Sequence, residues 1–94
     1  PAELEIVLDR CADIAEAAVI GRADRKWGEV AVAVVVPREG TDLSREVVLG
    51  LFDGQLARFK HPRDVIFTES LPRNVMGKVL KFELREMVSQ QNTG

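Results

Sequence analysis

The sequence predicts an α+β domain: a small sheet of about three strands with amphipathic helices packed on it. Three patterns carry that expectation. Val30 to Val36 is an unbroken apolar, largely β-branched run of strand length. Near the start, Leu4, Val7, Leu8 and Cys11 recur at the spacing of one helix face. Near the end, Leu80, Leu84, Met87 and Val88 do the same. A chain of 94 residues fits a single domain.

Taken in order, the first helix opens at Pro1, with Glu3 and Glu5 where the positive end of a helix dipole favours anions. Ala17 to Ile20 reads as a short strand closed by Gly21, and Ala23 to Gly28 as a polar loop. Glu29 to Pro37 is the central strand, apolar on both faces and therefore covered on both sides. A turn through Gly40 follows. Ser44 is suited to cap a second helix, whose stripe is Val47, Val48, Leu51, Phe52, Leu56 and Phe59. Gly54 weakens that helix by about 1 kcal/mol relative to alanine. His61-Pro62 ends it, because the residue before a proline avoids helical angles. Asp64 to Glu69 reads as a third strand, then a Gly-Lys loop leads into the third helix. The domain is drawn over residues 1–88, and 89–94 as a flexible polar tail. So small a domain, opening directly in a helix, is expected to be a piece of something larger.

Composition excludes several function classes. A 46% hydrophobic, 30% charged chain has the balance of a soluble globular protein. No apolar run approaches the roughly 20 residues of a membrane span, and no signal-peptide pattern opens the chain. One cysteine leaves no internal disulfide and no cysteine-based zinc site, which points to the cytoplasm. A net charge of −2 gives no bulk attraction to nucleic acid or membrane. The charge is uneven, however. Residues 1–57 carry 6 Lys/Arg against 11 Asp/Glu, and residues 58–94 carry 7 against 4. The basic half is either a solvated face or a surface facing the phosphates of a nucleotide or of CoA.

Few side chains suit catalysis. Cys11 lies on the apolar stripe of the first helix and reads as a core thiol. No serine sits in a nucleophile elbow, and no set of residues has metal-ligand spacing. Gly77-Lys78 is not a phosphate-binding P-loop, because Pro72 and Val79 stand where that motif needs Gly and Ser or Thr. What remains is Leu71-Pro72-Arg73-Asn74-Val75-Met76-Gly77-Lys78, a loop presenting a lysine beside a glycine that permits a tight turn.

That loop resembles the closing lysine loop of adenylate-forming enzymes, and four other segments resemble the same family in the same order. Pro1-Ala2-Glu3-Leu4-Glu5 is similar to the helix start after their hinge, and Glu16 to Gly21 to their first sheet strand. Trp27-Gly28-Glu29-Val30 resembles their Trp-Gly-Glu loop, and Leu56 to Arg63 their Leu-Ala-x-Phe-Lys-x-Pro segment. On these motifs the chain is identified as a member of the AMP-forming acyl-CoA synthetase family, as its C-terminal domain.

The resemblance implies an ATP-dependent, two-step acid–thiol ligation. A carboxylic acid reacts with ATP to give an acyl-adenylate, and CoA then takes the acyl group. It implies a C-terminal domain that rotates between the steps on a large N-terminal domain of the same enzyme. Lys78 matches the adenylation lysine, with Gly77 and Arg73 in its loop. Gly28 matches the glycine beside the pantetheine path, with Trp27 and Glu29 around it. Gly28 is equally a loop glycine needing positive φ, and Trp27 is read first as a packing residue and second as a tunnel wall. Lys60, Arg63 and Arg73 are candidate phosphate contacts, although each is read first as a surface or interdomain contact. His61 departs from the apolar residue frequent there and is given no catalytic role. ATP, Mg2+ and CoA belong to the intact enzyme, with Mg2+ not bound by this domain. The fragment by itself is expected to be inactive. Alternatives are the end of a peptide-synthetase adenylation domain, a luciferase-like enzyme, or a non-catalytic α/β interaction module. The acid, fatty or aryl, is left open.

Overall fold

A computed structural model describes residues 2–91, with side chains through Ser89. The elements are α1 (Ala2–Asp9), β1 (Ile14–Asp24), β2 (Gly28–Pro37), α2 (Arg45–Gly50), a 3₁₀ turn (Arg58–Lys60), β3 (Asp64–Phe67) and α3 (Lys81–Gln91). The three strands lie in the order β1-β2-β3. β1 and β2 form an antiparallel hairpin in register from Ile14↔Pro37 to Asp24↔Gly28. β3 pairs parallel to β2, from Val32↔Asp64 to Val35↔Phe67. A parallel pair needs a crossover, and the segment carrying α2 supplies it.

The valine run makes β2 the centre of the molecule. Val32 to Val35 are at most 1% exposed. Alternation sends Ala33 and Val35 to one face, with Leu4 and Leu8 of α1, Val48 and Phe52 of the α2 region, and Val65 of β3. It sends Val32, Val34 and Val36 to the other, with Ala18 and Ile20 of β1, Leu71, and Leu84 and Val88 of α3. The register slips between Ile14 and Glu16, which turns Ile14 onto the first face although Ala18 and Ile20 lie on the second.

Several expectations from sequence are corrected. β1 does not close at Gly21 but runs on to Asp24. The missing side chain at Gly21 leaves room for Glu29, since a Cβ there would lie 2.5 Å from Glu29 Cδ. The second helix is only six residues, not a stripe reaching Phe59. Ser44 caps it, accepting from Val47 N–H at 3.1 Å. Beyond Gly50 the chain tightens into i−3 turns, Asp53 N–H to Gly50 O and Gln55 N–H to Phe52 O. Gly54 then turns left-handed at φ +75 and ends any helical continuation. Phe59 is consequently 84% exposed rather than in the core. β3 is shorter than the Asp64 to Glu69 expected. α3 continues through Ser89 to Gln91, where a tail was expected. Pro1 and residues 92–94 lie outside the described residues. Among the described residues no helix is long and apolar enough to cross a membrane.

Carboxylates tie the layers together. Glu5 of α1 accepts from Val19 N–H of β1 at 2.9 Å and pairs with Lys81 of α3 at 2.9 Å. Burial alone would raise its carboxyl, but the Val19 N–H and Lys81 outweigh it and hold it below its usual range. Asp64 of β3 pairs with Arg22 of β1 at 3.2 Å and with Arg45 of α2 at 3.1 Å. There too burial would raise the carboxyl, and Arg45, the Val65 N–H and Arg22 reverse the sign.

Candidate functional site

Leu71 is buried against the α3 face, and beyond it the chain leaves the core as a small hairpin. Leu80 N–H returns to Pro72 O at 2.8 Å, and Arg73 bridges Val79 in antiparallel fashion. Within that frame Asn74 N–H donates to Lys78 O, and Gly77 N–H to Asn74 O, each at 3.0 Å. The Asn74 side-chain Oδ1 accepts two further N–H groups, from Met76 at 2.9 Å and Lys78 at 3.0 Å. Gly77 takes φ +84, a conformation that side chains disfavour. The tip is wholly solvated, with Val75 104% and Met76 88% exposed. Lys78 is exposed and joins no ion pair among the described residues. Arg73 behaves differently: its guanidinium donates to the Glu16 carboxylate of β1 and to the Gly77 carbonyl.

A second group lies at the far end of the β1–β2 hairpin. Asp24 Oδ1 accepts from Trp27 N–H at 2.9 Å and Lys26 N–H at 2.8 Å, the hydrogen bonds of an Asx turn. Those two donors, Trp27 first, hold the Asp24 carboxyl below its usual range. Gly28 follows at φ +82, with nothing within 4 Å of where a Cβ would stand. Trp27 is 56% exposed, so any packing it does is at the surface and not in the core. It instead meets two cations: Arg63 Cζ at 4.8 Å and Lys26 Nζ at 5.2 Å from the ring centroid. Trp27, Glu29, Phe59, Lys60, His61 and Arg63 share a groove of about 280 Å³. Lys60 also pairs with Glu3 at 3.7 Å. His61 turns inward, its Nε2 3.0 Å from Leu56 O and its ring 5.9 Å from that of Phe52.

The sequence-predicted residues therefore form two groups. Trp27, Gly28, Glu29, Lys60 and Arg63 converge at the hairpin turn. Arg73, Gly77 and Lys78 sit by Glu16, near the other end of β1. Glu16 and Asp24 are eight residue steps apart along β1, about 26 Å at about 3.3 Å per residue. Sequence reasoning did not single out Asn74, Glu16 or Phe59. An asparagine opening a turn is a readable signal for the first. Nothing in the sequence marks a pairing between residues 16 and 73.

The AMP-binding enzyme C-terminal domain family matches residues 3–78. An indoleacetate–CoA ligase of Aromatoleum aromaticum is 50% identical over 91 residues, 97% of this chain and 18% of the relative. A long-chain-fatty-acid–CoA ligase of Mycobacterium tuberculosis is 45% identical over 89 residues, 95% of this chain and 18% of that relative. The crystal structure of apo MatB from Rhodopseudomonas palustris superposes with a TM-score of 0.91 at 45% identity, over 97% of this chain and 18% of that one. The chain thus spans under a fifth of the length of these relatives, and it belongs to the AMP-binding enzyme C-terminal domain family.

Proposed function

We propose that this chain is the mobile C-terminal domain of an ATP-dependent, AMP-forming acid–CoA ligase, with Lys78 as its adenylation residue. The observation that carries the reading is a lone cation displayed on a solvated but internally hydrogen-bonded tip. In the first step a carboxylate oxygen attacks the α-phosphorus of ATP, the bond to pyrophosphate breaks, and pyrophosphate leaves. Both reactants are anions, and charge grows on the phosphoryl oxygens. A fixed ammonium stabilises that arrangement more than it stabilises the ground state. ATP arrives with Mg2+, whose ligands are assigned to the rest of the ligase.

In the second step the CoA sulfur attacks the acyl carbon, the thiol proton is released, and AMP leaves. Gly28 is assigned to the path of the thiol arm, beside Trp27 and Glu29, because it presents bare backbone at the hairpin turn. Lys60 and Arg63 on the same groove are assigned to CoA phosphates. The larger N-terminal part of the ligase is the partner of this domain. Relatives named for an aryl acid and for long-chain fatty acids match comparably well, which fits an acid pocket lying elsewhere. Water is the expected medium and the cytoplasm the expected compartment.

Two substitutions in the intact ligase test the assignment. Lys78→Ala is expected to lower pyrophosphate exchange about 100-fold or more, while transfer from preformed acyl-adenylate to CoA is retained. Gly28→Leu is expected to do the reverse; melting temperature is followed alongside, since φ +82 is unfavourable for leucine. Exchange at the parental rate in Lys78→Ala overturns the reading, as does substantial adenylation by the isolated 94-residue chain.

A further inference from the structure

A lysine ammonium rides on a flexible four-carbon stem, so its usefulness depends on where the backbone beneath it is held. The outer turn of the loop has no apolar anchor, since Val75 and Met76 are in solvent, while Val79 packs against the α3-side core just beyond Lys78. From Arg73 to Lys78 its order comes from polar contacts. Asn74 Oδ1 gathers the N–H groups of Met76 and Lys78 on one atom. Arg73 works across the gap to the sheet. Its Nε and Nη2 donate to Glu16 Oε1 on β1, while its Nη1 donates to Gly77 O, immediately before Lys78. The loop is thus closed on itself by Asn74 and fastened to the sheet by Arg73.

We infer that Glu16, Arg73 and Asn74 are positioning residues for Lys78, forming a polar frame that fixes the height and direction of its stem. The inference rests on the assignment of Lys78 to adenylation. It also gives Arg73 a role different from phosphate binding, because three of its donor nitrogens are engaged within the domain. Glu16 separates the two roles. Removing it loosens the frame, yet it leaves Arg73 present and more available to an anion.

The test uses the intact ligase carrying Glu16→Ala, Arg73→Ala, the two together, Asn74→Ala and Asn74→Ser. Misplacing a reacting group by about 1 Å costs on the order of 100-fold in rate, so each alanine variant is expected to lose roughly ten- to hundredfold in pyrophosphate exchange. The loss falls on kcat, with KM for ATP nearly unchanged and acyl transfer to CoA at the parental rate. Glu16→Ala and Arg73→Ala together are expected to be little worse than either alone, as for two parts of one contact. Asn74→Ser is expected to recover most of the activity, because a serine hydroxyl can still accept the N–H two residues on. Hydrogen–deuterium exchange of the segment 71–80 is expected to quicken in Glu16→Ala and Asn74→Ala.

Parental exchange rates in Glu16→Ala beside a slow Arg73→Ala would assign Arg73 to a ligand and overturn the frame. So would Asn74→Ser as slow as Asn74→Ala, or an unchanged deuterium uptake of the loop. If Lys78→Ala itself keeps full exchange, the adenylation assignment fails, and the deuterium measurement still decides whether the frame exists.

Discussion

Gly21 shows how a single residue directs its neighbours. It lies inside β1 with the Glu29 carboxyl folded over it, 2.5 to 2.8 Å from where a Cβ would stand. Those contacting atoms are the far end of a flexible side chain, not backbone, so a methyl group there displaces Glu29 rather than the strand. Gly21→Ala also removes freedom from the unfolded chain, worth about 0.4–1 kcal/mol. Its urea midpoint is therefore expected to match or slightly exceed that of the parent. A loss above about 2 kcal/mol, typical of a fixed clash, would show that the Glu29 carboxyl cannot move. Reading from sequence went furthest where a residue's demand is local. Gly28 and Gly77 do take positive φ, and the lysine loop does stand outside the core. It went least far where the partner is distant. Glu16, Glu5 and Asp64 each meet side chains or backbone of other elements, and no local pattern records such meetings.

At the scale of elements, two carboxylates act as fasteners: Glu5 joins α1, β1 and α3, and Asp64 joins β3 to β1 and to α2. Both titrate below their ordinary values of 4.5 and 3.8 in the folded chain. A depressed carboxyl contributes stability that is complete above the unfolded value and is lost as pH falls through the folded one. The melting temperature is thus expected to be level at neutral pH and to decline progressively below about pH 4.5. Glu5→Gln and Asp64→Asn should each lower the neutral melting temperature and flatten that acid decline. An acid slope unchanged in both variants would remove the fasteners from the account. The second helix teaches the complementary lesson about legibility. Its cap at Ser44 is a local choice and was readable. Its length was not, because an apolar stripe continues through Phe59 while the chain tightens into turns after Gly50 and goes left-handed at Gly54.

For the whole molecule, the element order and the doubly covered central strand were legible, because Val30 to Val36 admits no solvent face. The parallel pairing of β3 was not, since it depends on how the crossover returns. Phe52, in the turns after α2, is the largest fully buried side chain among the described residues and packs that layer on the sheet. Phe52→Ala is expected to cost about 3–5 kcal/mol, a large share of the roughly 5–14 kcal/mol typical of a chain this size. Circular dichroism melting would show a broad or absent transition. A sharp melt near the parental temperature would mean that the α2 layer is dispensable. One further consequence belongs to the hairpin. It sets the Glu16 end of β1, to which the Lys78 loop is fastened, about 26 Å from the Gly28 turn, many times the reach of a reacting centre. A single acyl group cannot meet both ends at once. If both serve it, distance along β1 becomes an interval within each turnover, during which the acyl-adenylate must survive unattended by water.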